Sequence, residues 1–233
     1  MDLVFPPLMT GEATATDPFE QACLKAIQGC DAGLICHRLT ANRLEAAIVF
    51  APEVPLEQAM IMLPICGIGF QNALGALAPP EVAVHLEWDG PIRINGARCG
   101  AFKAAASTTD PAETPDWLTI GLSLPLWPED DTADPGERPD ETTLYAEGCV
   151  DVAAPSLLEA IARHTLAWIG QWEERGAQTV HAEWRGLAHG VGEDITIGTE
   201  TGTFLGVDEN FGLLLRQSEE TTLIPLSSQL VTP

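Results

Sequence analysis

Val82-Ala83-Val84-His85-Leu86-Glu87-Trp88-Asp89-Gly90-Pro91-Ile92-Arg93-Ile94-Asn95-Gly96 reads as a strand, a turn, a second strand and a second turn. From Val82 to Trp88 apolar and polar side chains alternate, the period of a strand with one buried face. Asp89-Gly90-Pro91 has turn composition, Ile92-Arg93-Ile94 opens the next strand, and Asn95-Gly96 is a dipeptide that closes tight hairpins. Residues 99–106 continue the ladder, and residues 117–126 supply a further strand.

Upstream, Asp17-Pro18-Phe19-Glu20 places an N-cap acid before a first-turn proline and a capping glutamate, which predicts a helix over 18–28 stopped by Gly29. Residues 33–37 and 44–50 read as an antiparallel strand pair joined by the short link from Arg38 to Arg43. Residues 56–77 are helical in pattern, with a break expected near Pro64 and an end at Pro79-Pro80. Their apolar core, residues 59–70, is too short to span a bilayer and is interrupted by Pro64, Gly67 and Gly69, so it reads as a buried helix.

Downstream, residues 128–141 combine proline, glycine and acid and read as an exposed loop. Asp130, Thr132, Asp134 and Glu141 have the spacing of a calcium loop, but Pro135 stands where such a loop requires glycine, and no amphipathic helices flank it. Ser156-Leu157-Leu158-Glu159 is a capping box, opening a helix with Leu158, Ile161, Thr165, Trp168 and Trp172 on one stripe. A tryptophan stripe at this spacing is read as core. A short helix over 180–187 follows.

From Asp194 the pattern changes to closely spaced short strands, DITIG, GTFLGVD, ENFGLLLRQ and TTLIPL. These predict a small C-terminal β-barrel, with the domains divided as 1–188 and 189–233. Meandering strands interspersed with helices give an α+β class with a mixed or antiparallel sheet rather than regular βαβ winding.

Charge bounds the partners. The chain has 34 acidic side chains against 11 basic ones, a formal net charge of -23. A nucleic-acid backbone or an anionic membrane is repelled by such a field, so neither is expected as a partner. Only Lys25 and Lys103 are lysines, so chemistry on a phosphate must draw on few cations. The six cysteines form no CxxC pair, which predicts reduced thiols with neither zinc site nor disulfide framework. The N-terminal MDLVFPPLMTG lacks the basic start and apolar core of a secretory signal, and a cytoplasmic location is expected.

The segment VHLEWDGPIRINGARCG resembles the biotin/lipoate protein ligase segment in which Lys-Trp-Pro-Asn-Asp precedes a strand, Asn-Gly and a basic stretch ending in glycine. Trp88, Asn95, Gly96 and Gly100 match. WLTIGLSLPLWPED is similar to that family's strand with a Gly-hydrophobic-Asn pattern, and GTFLGVDENFGLLL to its C-terminal SH3-like barrel. The resemblance implies a catalytic domain of the class II aminoacyl-tRNA synthetase and biotin synthetase type. It also implies a two-step reaction in which ATP, with magnesium, activates a carboxylic acid such as biotin or lipoate for transfer to a carrier-protein lysine. The matching segment implies ligand contacts from Glu87, Trp88, Asn95, Gly96 and Gly100 and a catalytic cation at Arg98. Outside it, Arg38 and Arg43 in the link that replaces the family's lid are further candidate ligand contacts, and Lys103 is a candidate catalytic cation that could compensate for the missing lysine.

The departures concern charge. Glu87 stands where the family has lysine, and a carboxylate there repels a triphosphate. The link from Arg38 to Arg43 has no glycine and is too short for the family's glycine-arginine-rich lid. Ala97 holds a position where the family often has lysine, with Arg98 one place off, and arginine is not an interchangeable substitute. Two functions are therefore weighed: a binding or regulatory relative with impaired adenylation, and an active ligase using Arg38, Arg43, Arg98 and Lys103. A third, a hydrolytic or metal site from His85, Glu87 and Asp89, competes with the simpler account of polar residues at a solvent-facing strand end. No metal is assigned.

Overall fold

A computed structural model describes residues 3–128 and 140–232. The Asp130, Thr132, Asp134 and Pro135 of the rejected calcium loop lie outside the described residues.

Asp17 caps the first helix, α1 (Pro18–Ile27), its carboxylate accepting the amides of Phe19 at 2.7 Å and Glu20 at 3.2 Å. The next strands are β2 (Leu34–Leu39) and β3 (Arg43–Phe50), antiparallel as the pattern predicts. Before α1 lies β1 (Thr10–Ala13), which the sequence did not reveal. It pairs parallel to β2 and makes the sheet mixed. Four polar or small residues carry no alternation, so the strand exists through its partner alone.

Residues 56–77 divide into α2 (Leu56–Ala59) and α3 (Met62–Leu77). The break falls at Met60-Ile61 rather than at Pro64. Pro64 sits in the first turn of α3, where its missing N–H has no helical acceptor to lose. The stretch is long and apolar enough to cross a membrane, but 72% of its apolar window is buried inside the protein, as in a core helix.

β4 (Val84–Leu86), β5 (Pro91–Ile94), β6 (Ala97–Ala106) and β7 (Leu118–Pro125) complete a seven-stranded sheet in the order β1-β2-β3-β7-β6-β5-β4. Helix α4 (Ala154–Arg175) then packs on α3, and α5 (Ala177–Leu187) packs on both. Gly69 permits the α3–α4 approach, since a Cβ there would lie 2.5 Å from Thr165 Oγ1. Leu158, Ile161, Thr165 and Trp168 are buried, as the stripe predicts, and the Trp168 indole donates to Asn72. The capping box does not form. With Pro155 in its first turn the helix begins at Ala154, and the Glu159 carboxylate instead accepts the amide of Val4.

The helices α3 and α4 cover one face of the sheet, over a core that includes Ile35, Leu44, Ile48, Phe70, Ile92, Ile94, Phe102 and Leu122. On the other face α1 is the one helix among the described residues, over small residues such as Cys36, Ala47 and Ala105. All six cysteines are free thiols. Beyond the N-terminus of α1 no helix covers this second face among the described residues.

The C-terminal strands β8 (Asp194–Ile197), β9 (Glu200–Val207), β10 (Leu213–Gln217) and β11 (Glu220–Ile224) form a four-stranded antiparallel sheet. It is docked on the larger unit. Phe211, at the β9–β10 turn, is 1% exposed with φ +62°, packs edge-on to Trp184 and beside His181, and accepts the Trp88 indole N–H at 2.6 Å. His189 donates its amide to Leu86 on the β4 edge, and Val231 donates to Ala104 on β6.

Phe211 therefore holds the two units together. Truncating so large a buried side chain costs about 3–5 kcal/mol. Phe211→Ala is expected to lower the urea midpoint by a corresponding amount and to expose residues 188–192 to protease. An unchanged midpoint and an intact chain under the same digestion would remove Phe211 from this role.

Candidate functional site

The Asn95-Gly96 turn sets the site's geometry. Both residues have positive φ, +51° and +97°, so the two-residue loop twists with its strands and pairs Ile94 with Ala97 and Arg93 with Arg98. Ile92 and Ile94 enter the core, so Arg93 and Arg98 stand on the open face. Val84 and Leu86 likewise enter the core, which puts His85 and Glu87 on that face too. Gly100 follows, with φ +84°, where a Cβ would lie 2.2 Å from the Ser123 carbonyl oxygen. Only glycine allows β6 to lie so close to β7 at this bulge.

Two arginines directly opposite each other repel unless an anion sits between them. Glu87 is that anion. Its Oε1 accepts Arg93 Nε at 2.6 Å and Arg98 Nε at 2.9 Å, and its Oε2 accepts Arg98 Nη2 at 2.6 Å. The carboxylate is only 13% exposed. Burial alone would push its pKa up, but hydrogen bonds and charge from Arg98 and Arg93 outweigh burial and hold it below the usual range. The neighbouring Asp89 is raised, first by burial and then by the charge of Glu87.

Other predicted residues share the face without sharing this clasp. Lys103 pairs with Gly121 across the sheet, 43% exposed, with its ammonium 4.2 Å above the Phe19 ring and 3.9 Å from Asp17. Arg38 bonds Glu45 and the Ala15 carbonyl, while Arg43 donates to Ser123 Oγ. Ser123 stands where the resembling strand pattern has asparagine. Arg38, Arg43, Arg93, Arg98 and Lys103 are five of the chain's 11 basic side chains, all on one face of one sheet.

Three predicted residues do not face this patch. Trp88 is buried, 5% exposed, between the two units. Asn95 accepts the Ala83 amide and donates to Glu147, and Gly96 offers its carbonyl to Arg93 Nη1. Arg93 was not singled out from the sequence, although its alternation with Ile92 and Ile94 carried the signal. His85 and Glu87 do share a face, but Glu87 is spent on arginine. Among the described residues no group of three or more His, Cys, Asp or Glu is placed to hold a metal ion.

A cavity of about 20 Å³ lies at the junction of the two units beside the β4–β5 turn, lined by Leu63, Gly67, Glu87, Trp88, Trp184 and Phe211 among others. It has room for about one water molecule, whereas a small-molecule site needs roughly 300 Å³ or more. The open, cation-bearing face is therefore the candidate site.

Comparison with known proteins agrees with this architecture. Residues 5–186 match the model of the biotin/lipoate A/B protein ligase family, and residues 191–231 match a domain of unknown function, DUF4444. A crystal structure of a biotin protein ligase-like protein of unknown function from Silicibacter sp. TM1040 is 62% identical. It superposes with a TM-score of 0.94, over 99% of this chain and 100% of that one. A mutant biotin protein ligase from Aquifex aeolicus in complex with biotin shares the fold at 14% identity, TM-score 0.72, covering 94% of this chain and 96% of that one. A biotin--[acetyl-CoA-carboxylase] ligase of Paracoccus denitrificans is 22% identical over 191 residues, 80% of this chain and 79% of that protein. The chain belongs to the biotin/lipoate A/B protein ligase family.

Proposed function

We propose that this protein is a binding or regulatory relative within its family, which receives a small carboxylic acid on the open sheet face and does not adenylate it efficiently. The observation that carries this reading is the Glu87 clasp. At the position where the resemblance places a lysine, a carboxylate takes hydrogen bonds from two arginines. Activation of an acid by ATP needs donors aimed at the developing charge of the α-phosphate and pyrophosphate. Arg93 and Arg98 are aimed at Glu87 instead.

The remaining cations fit a triphosphate poorly. Arg38 is paired with Glu45, Lys103 lies beside Asp17 and the Phe19 ring, and the β2–β3 link spans only Thr40-Ala41-Asn42. ATP and magnesium thus have no complete set of partners among the described residues. The ligand class is a monocarboxylic acid of the biotin or lipoate kind, held by short-range hydrogen bonds from the arginines of this face rather than by its nearly balanced charge. A second reading, an active ligase using Arg38, Arg43, Arg98 and Lys103 toward a carrier-protein lysine, is favoured by one observation: Lys103 is half exposed on that same face.

Incubation with ATP, magnesium and each acid is expected to release pyrophosphate at least about a hundredfold more slowly than an active family member, the usual loss for one misdirected donor. Calorimetry is expected to detect binding of the acid alone. Rapid acid-dependent pyrophosphate release, abolished in Lys103→Ala, would establish the second reading.

The clasp also has a pH signature. The Glu87 pKa is lowered on folding, so its stabilisation is complete above the ordinary glutamate value and is lost as pH falls through the lower folded value. Glu87→Gln is expected to lose about 2 kcal/mol at pH 7, the scale of charge-assisted hydrogen bonds, and to converge on the wild type in acid. Urea unfolding at both pH values measures this. A difference that persists unchanged at the lower pH would show that the carboxylate charge is not the source.

A further inference from the structure

We propose that Arg93 and Arg98 form an oxyanion seat and that Glu87 is its resident occupant, an internal competitor for any carboxylate or phosphate reaching the open face. The inference rests on the binding role argued above and names the contact that regulates it.

The seat has the geometry of anion recognition. Arg98 presents Nε and Nη2 as a fork to the two oxygens of one carboxylate, and Arg93 Nε adds a third donor at 2.6 Å. Such forks match carboxylate and phosphate alike. The Arg98 side chain is 53% exposed, so the seat opens toward solvent rather than into the core.

The scaffold of the seat does not depend on its occupant. Arg93 Nη1 is tied to the Gly96 carbonyl at 2.6 Å. The backbone of Arg98 is held on both sides, its amide donating to Asp140 and its carbonyl accepting from Thr142. The Asn95-Gly96 turn fixes the register that sets the two arginines opposite each other. Removing the Glu87 charge therefore leaves two positioned guanidinium groups without the carboxylate that bonds both, with Asp89 and Asp140 acting on Arg98 only through charge.

Tethering makes Glu87 an effective blocker. A group one turn away on the same chain acts at an effective concentration of millimolar or above, so a free monovalent oxyanion must exceed that to displace it. The wild-type seat is expected to take inorganic phosphate or acetate only at very high concentration. In Glu87→Gln the charge of the competitor is gone, and the same probes are expected to bind at least tenfold more tightly.

The test is titration of the wild type, Glu87→Gln and Glu87→Gln/Arg98→Ala with inorganic phosphate and, separately, acetate, followed through the arginine Nε–H resonances and by calorimetry. A tenfold gain in Glu87→Gln that disappears in the double variant supports the seat. A gain for phosphate alone assigns it to tetrahedral oxyanions, and a gain for acetate alone to carboxylates. Equal affinities in wild type and Glu87→Gln, or a gain that survives in the double variant, overturn it. Should Glu87→Gln not fold, Glu87→Asp shortens the side chain and weakens the fork while keeping the charge, and an intermediate gain is expected. No gain there overturns the proposal equally. Phosphate binding gained in Glu87→Gln by a protein whose wild type binds no biotin or lipoate would remove the functional reading and leave the seat standing.

Discussion

A two-residue Asn-Gly turn places Arg93 against Arg98, and the repulsion of like charges at that spacing is relieved by an anion between them. The strand pair β4–β5 delivers one, because His85 pairs with Arg93 and Glu87 lies two residues further on the same face. The neighbouring residue must then point the other way. Trp88 does, into the junction with the C-terminal unit, where its indole bonds the Phe211 carbonyl. The period of two in one short strand thus assigns consecutive residues to two tasks, neutralising the open face and joining the two units.

The asymmetry of the sheet makes that open face available. Among the described residues one side carries α3, α4 and α5 over large aliphatic and aromatic side chains, while the other carries α1 alone over alanine and cysteine. Small residues let α1 lie close, and Phe19 rests on Gly121, where a Cβ would come within 2.5 Å of its ring. Asp17 ends the helix just there. Past that point the strands β2, β3, β7, β6 and β5 present basic and acidic side chains to solvent, with no helix above them among the described residues.

Much of this was legible in the sequence because it rests on local chemistry. Alternation gave most strands, Asp17-Pro18 gave the start of α1, and Asn95-Gly96 gave its turn. What was not legible depended on partners remote in the chain. Thr10–Ala13 is a strand only because Leu34–His37 lies beside it. Ser156-x-x-Glu159 has the form of a capping box, but Pro155 moves the helix start and Val4 claims the glutamate. At the site, resemblance pointed to Glu87 and Arg98, and the loss of a lysine was visible. That Glu87 would be buried between two arginines was not, because Arg93 matched no family motif and only the register of β5 on β6 brings it to Arg98.

Charge over the whole molecule completes the account. In a chain of net charge -23, five of 11 basic side chains gather on one sheet face, accompanied there by Asp17, Glu45, Glu87 and Asp89. Such a face is almost neutral, so a ligand gains little from attraction at a distance and must offer better geometry than the internal carboxylates it displaces. The surrounding field acts on every charge the ligand carries. A nucleoside triphosphate, with roughly four negative charges, is repelled about four times as strongly as a monocarboxylate at the same distance. Under the binding role proposed above, the same composition weighs against a nucleotide more than against a small, singly charged acid, for which the short-range fork of an arginine has only to outweigh a long-range repulsion that salt screens beyond about 8–10 Å.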